Sequence, residues 1–200
     1  MKENSVKLRF KENPVLLDKV LQDLQKALMI RLKWLNYAFG RAYKLVEHET
    51  NGGKFVYPAA YNGNAEYISL LPNDNLGNFS WFDIYDPQKI TRTVQSLPQY
   101  SFSGAIIFWY DLRTIYQDEL VLYTEEVKDE IIRTLTTPGL ITTTGRLEIT
   151  DVYECFENIY KGYSGESIQS LDKQFFMFPY AGLRIEFTLT TRELCQHYVI

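Results

Sequence analysis

Residues 101–112, SFSGAIIFWYDL, decide the fold. The six-residue apolar run Ala105-Ile106-Ile107-Phe108-Trp109-Tyr110 has no polar alternation, as in a strand covered on both faces. It is far shorter than the roughly 20 residues a membrane-spanning helix needs. Residues 100–112 are therefore expected as the central strand of a sheet with material on both sides.

Toward the C-terminus the pattern changes. In residues 181–190, Leu183, Ile185, Phe187 and Leu189 face one way, and Arg184, Glu186, Thr188 and Thr190 the other, the alternation of a half-buried strand. A helix is expected from Thr124, with Glu125 and Glu126 at its positive end. Val127, Ile131 and Leu135, with Ile132 beside them, form its apolar side, and Pro138-Gly139 ends it. Residues 146–153 read as a strand running into a helical turn at 154–160.

Toward the N-terminus, residues 79–85 read as a strand stopped by Asp86-Pro87. Residues 41–48 and 54–61 flank Asn51-Gly52-Gly53, a strong hairpin signal. Pro58 argues for an edge or a bulge in the second of these strands. Residues 62–78, rich in Asn and Gly, read as a long loop. Asn13 suits an N-cap and Pro14 the first helical position. Leu17, Val20, Leu21, Leu24, Leu28, Leu32 and Leu35 then form the stripe of an amphipathic helix of about twenty residues, with Gly40 soon after. Asp18, Gln22, Gln25, Lys26 and Lys33 fall largely on its other side. Residues 1–12 read as a flexible arm. The expectation is one α+β domain over 1–200, a mostly antiparallel sheet with two main helices packed on one face.

Composition narrows the function. At 200 residues the chain can bury a core without disulfides or metals. A net charge of −4 without a basic cluster disfavours phosphate tracking and sequence-specific DNA binding. Cys155 and Cys195 have no zinc-like spacing, and two thiols make no disulfide framework. The first residues lack the apolar run of a signal peptide. The chain carries 15 Tyr, 12 Phe and 3 Trp, which suits a β-rich core and, where exposed, a binding surface.

Chemistry is sparse. His48 and His197 are the only histidines; a Cys195–His197 pair has no orienting third group. Glu126 and Glu130 lie one helical turn apart but belong to no cation-loop pattern, and Asp111, Asp118 and Glu119 follow the central strand without further ligands. Asn51-Gly52-Gly53-Lys54 lacks the phosphate-loop frame. No catalytic, cofactor-binding or metal-ligating residue is assigned, and no cofactor is expected.

The central strand, the helix with Glu-Glu-Val-Lys-Asp-Glu-Ile-Ile, the stretch 153–160 and the closing FPYAGLRIEF of 178–187 together resemble tailed-phage neck and tail-completion proteins, including those of phages of Bacteroidetes. The resemblance implies a non-enzymatic subunit of a head–tail connector or tail-terminator ring. It would sit in the virion after assembly in the bacterial host cytoplasm. Its partners would be further copies and portal, connector or tail-tube subunits, with DNA passing through the lumen and no membrane involved. Ring closure needs heterologous contacts. The candidate interface residues are Leu76, Phe79 and Trp81 around the long loop and Tyr198, Val199 and Ile200 at the tail. The alternatives are a small protein-binding adaptor from a bacterial operon or mobile element, an enzyme with an unfamiliar site, and a single-strand binder using exposed aromatics.

Overall fold

The computed structural model describes residues 8, 10–48, 52–63, 65–73, 75–91, 98–116, 123–139, 145–165, 168, 171 and 175–192. Among these residues, nine strands and four helices follow in the order α1 Leu16–Arg31, β1 Tyr37–Arg41, β2 Tyr43–His48, β3 Lys54–Gly63, β4 Glu66–Ser69, β5 Phe79–Ile84, β6 Lys89–Thr91, β7 Gln99–Asp111, α2 Leu112–Ile115, α3 Thr124–Thr136, β8 Arg146–Tyr153, α4 Phe156–Ile159 and β9 Tyr180–Arg192. The fold is α+β. One sheet runs β1-β5-β7-β9-β8 with β6 also on β7, and a second runs β2-β3-β4. All pairings are antiparallel except β1 with β5.

The expected central strand lies between β5 and β9. Its side chains alternate between two cores. Phe102, Ile106, Phe108 and Tyr110 join the leucine stripe of α1 and Val127, Ile131 and Leu135 of α3, which puts both helices on one face. Ala105, Ile107 and Trp109 join Phe79 and Trp81 with residues of β3 and α4 on the other. Apolar residues cover this strand on both sides, which is why it reads as an unbroken run.

Several expectations are corrected. Helix α1 starts at Leu16, with Val15 at the N-cap and no side-chain cap, so Asn13 does not cap it. It ends at Arg31; Leu32 and Leu35 are buried in the following connection, and the chain then forms strand β1. Gln22 and Gln25 do not face solvent. The Gln22 amide exchanges two 2.9 Å hydrogen bonds with the backbone of Lys11, and Gln25 Nε2 donates to the Ala38 carbonyl at 2.9 Å. The supposed free arm is thus held to the helix at Lys11. The expected loop 62–78 contains the end of β3 and all of β4.

Pro58 does not mark an edge, since β3 is the middle strand of its sheet. The Pro58 carbonyl accepts from Leu70 N at 2.9 Å, just past the end of β4. The proline nitrogen faces the same side and has no hydrogen to return. The Leu70 carbonyl accepts from the Tyr160 hydroxyl instead, at 3.2 Å. This bond ties the small sheet to the turn after α4.

Two glycines are required by close approach. A Cβ on Gly77, where φ is +60°, would lie 2.4 Å from Asn36 Oδ1. A Cβ on Gly104 would lie 2.6 Å from the Asp83 carbonyl oxygen on β5, 3.0 Å from Ile84 Cδ1 and 3.1 Å from Phe187 Cζ. The first contact is with the paired strand's backbone, which cannot step aside without opening the ladder. Gly104→Ala is expected to lower stability by about 1–3 kcal/mol. Urea denaturation measures it, and an unchanged midpoint would refute the close approach.

Candidate interaction surfaces

On the face away from α1 and α3, strand register lines up Asp83, Ala105 and Glu186 across β5, β7 and β9. Arg184 comes from the next row, two residues along β9. The small Ala105 leaves room between the carboxylates, and the Arg184 guanidinium reaches both: Nη2 lies 3.6 Å from Asp83 Oδ2 and Nε 3.4 Å from Glu186 Oε1. Nη1 donates to the Ile159 carbonyl at 3.1 Å and Nη2 to the Tyr85 hydroxyl. Arg184 is 1% exposed and Asp83 6%. Arg184 therefore does not face solvent as its alternation suggested.

Burial raises the Asp83 carboxyl above its ordinary 3.8, and outweighs the opposing pull of Arg184 and Lys44. Burial also lifts the Tyr85 hydroxyl, to about 12. It pushes the Tyr163 hydroxyl up as well, helped by the negative charge of Asp83. That hydroxyl is close enough to feel Asp83 but lies outside hydrogen-bond geometry among the described residues. A group whose pKa is raised on folding stabilises most below its unfolded value, and that contribution fades as pH rises. Wild type should therefore gain on Asp83→Asn as pH falls from neutrality toward 3.8. Parallel urea titrations of the two proteins would contradict this if the gap stayed constant.

This cluster holds layers together. Lys44 of β2 lies over the Tyr163 ring, 5.3 Å from its centroid, and Val56 of β3 forms a β-bridge with Ser164. Both join the three-stranded sheet to the segment after α4, and the carbonyl of Ile159, the last residue of α4, holds Arg184.

The accessible features lie elsewhere. A cleft of about 510 Å³ opens between the start of α1 and the strands β1, β3 and β4, with Leu21, Phe39, Ala60 and Ile68 among its walls and Lys11, Asp18 and Arg41 also lining it. Tyr43 and Tyr61 line this cleft, and Tyr67 packs on both, with ring centroids 6.4 Å and 5.3 Å away. These three rings are about half exposed. Across the large sheet, Met177 and Phe178 project just before β9, 63% and 68% exposed. Behind them Trp109 stacks on Tyr180 at 5.4 Å and donates from Nε1 to the Phe175 carbonyl at 2.8 Å. Beside them a second cleft of about 390 Å³ is lined by Tyr110, Phe176, Tyr180, Glu154, Cys155 and Glu157, among others.

The interface residues expected from sequence fall otherwise. Leu76, Phe79 and Trp81 are buried within the subunit at 5%, 0% and 0% exposure, packed with Trp109 and Tyr160, so their side chains offer a partner no surface. Tyr198, Val199 and Ile200 lie outside the described residues, as do Cys195 and His197. His48 is exposed at the end of β2, paired with Lys54. Among the described residues, no three His, Cys, Asp or Glu side chains converge to hold a metal, and no helix is long and apolar enough to cross a membrane. The tyrosine cluster escaped sequence reading because Tyr61 and Tyr67 meet only through the unexpected strand β4. A scan against protein-family models and a search of curated proteins both find no match to the chain.

Proposed function

We propose that this chain is a non-enzymatic structural subunit of a phage head–tail connector or tail-terminator ring. It joins copies of itself and contacts portal, connector or tail-tube subunits within the virion. The observation that carries this reading is the apolar surface left uncovered in the isolated subunit: the cluster Tyr43, Tyr61 and Tyr67 at the mouth of a cleft, with Met177 and Phe178 elsewhere. Aromatic and methionine side chains concentrate at protein interfaces, where a rigid ring buries a large area for little lost entropy. The resemblance of residues 101–112 and 178–187 to neck and tail-completion proteins supplies the setting. An acidic subunit suits a lumen through which DNA must slide without being held.

Negative-stain imaging of the concentrated protein, alone and mixed with its cognate portal, tests the reading. Closed rings with a central opening are expected in at least one of the two samples. Single particles of one subunit in both would overturn it.

A further inference from the structure

The two exposed apolar features are carried by different strands of the six-stranded sheet. The tyrosine-mouthed cleft borders β1, through Phe39, Gly40 and Arg41. Met177 and Phe178 lead into Tyr180, which starts β9 opposite Asp111 of β7 and lines the second cleft together with Glu154. Strand β9 lies three strand spacings, roughly 14 Å, from β1 in the order β1-β5-β7-β9-β8.

The features are also complementary. One is concave and aromatic-lined, with basic Lys11 and Arg41 against the single acid Asp18. The other is a projecting Met-Phe pair, and its neighbouring wall carries Glu157 and Glu154, the latter paired with Lys128 at 2.6 Å. The projecting pair is also rigidly backed. Trp109 fixes Phe175 and Tyr180 on either side of it, and Arg113 Nη2 donates to the Tyr180 hydroxyl at 3.0 Å. A preorganised knob loses little freedom on docking.

We infer that Met177 and Phe178 of one copy insert into the cleft mouthed by Tyr43, Tyr61 and Tyr67 of the next, a head-to-tail contact between unlike patches. Knob and cleft share no residue within one subunit, so each copy can give and receive at once, as a heterologous contact requires. The inference rests on the self-assembly reading above and names the surfaces that would carry it. The adjacent carboxylates meet the basic rim and set the register of the contact.

The test uses the full chain with a photo-cross-linking phenylalanine analogue at position 178, irradiated and mapped by mass spectrometry. A cross-link between copies into residues 39–43 or 60–68 is expected; a link between copies anywhere else overturns the inference while self-assembly stands. Phe178→Asp and Tyr61→Asp provide a second arm, each with its fold checked by circular dichroism. Each alone should raise the concentration for half-assembly by roughly thirtyfold or more, the size of an interface hot spot. Mixed together, they should recover a one-to-one dimer and nothing larger, because one intact knob then meets one intact cleft. Variants that assemble like wild type overturn the inference alone. A wild type that neither assembles nor cross-links between copies overturns the inference and self-assembly together.

Discussion

Arg184→Ala should cost about 3–5 kcal/mol, the usual penalty for stripping one partner from a buried ion pair. The loss is large because nothing else can take over the role. Asp83, 6% exposed, would keep a carboxylate shut off from water with only the charge of Lys44 to balance it, and the Ile159 carbonyl and Tyr85 hydroxyl would lose their donor. Against the 5–15 kcal/mol total of a typical domain, this leaves a protein close to unfolding at ambient temperature. The reciprocal change should be milder. Asp83→Asn leaves Arg184 with Glu186, Tyr85 and the Ile159 carbonyl, so the two substitutions should differ clearly in urea midpoint. Adding Asp83→Leu to Arg184→Met should recover most of the loss, because an apolar pair in that space leaves no stranded charge. Equal midpoints for Arg184→Ala and Asp83→Asn would contradict this account of the cluster.

Trp109→Ala should cost a similar 3–5 kcal/mol, with a different signature. The ring is 2% exposed and packs against Phe79, Phe175 and Tyr180, at centroid distances of 5.8, 6.1 and 5.4 Å. Its indole nitrogen also fixes the Phe175 carbonyl. Truncation opens a cavity at the centre of the sheet and detaches the 175–180 segment that presents Met177 and Phe178. Amide exchange should accelerate in that segment more than in α1, which belongs to the opposite core. Trp109→Phe should retain much of the stability while still losing the bond to Phe175. Uniform acceleration through α1 and 175–180 alike would show that the tryptophan has no local role.

The central strand and both main helices were legible because each has one strong periodic signature backed by burial. Val127, Ile131 and Leu135 are buried as their spacing predicts, and Leu183, Ile185, Phe187 and Leu189 line one face as alternation predicts. What the pattern could not show is what lies on the second face. Arg184 and Glu186 alternate with apolar residues in the same way whether water or another layer covers them, and here α4 and Tyr85 meet Arg184. The start of β1 was hidden because Leu32 and Leu35 extend the helical spacing past the point where the helix ends. Strand β4 has only four residues, set among asparagines and glycines that carry turn signals of their own. Leu76, Phe79 and Trp81, expected at an interface, are buried for the same reason as Arg184: large apolar side chains beside a presumed loop look exposed until the covering layer is known. The tyrosines that are exposed gave no sequence signal, because their grouping depends on the pairing of β3 with β4.

Sedimentation velocity of the full chain over a concentration series extending well above micromolar, with Tyr61→Asp run alongside, tests most directly whether uncovered aromatic surface holds subunits together. Wild type should shift to species several times its 23.5 kDa mass as concentration rises, and the variant should stay near that mass throughout. A wild type that remains at 23.5 kDa across the series would contradict self-association of the isolated chain, and a variant that associates just as readily would contradict the role of the tyrosine cluster.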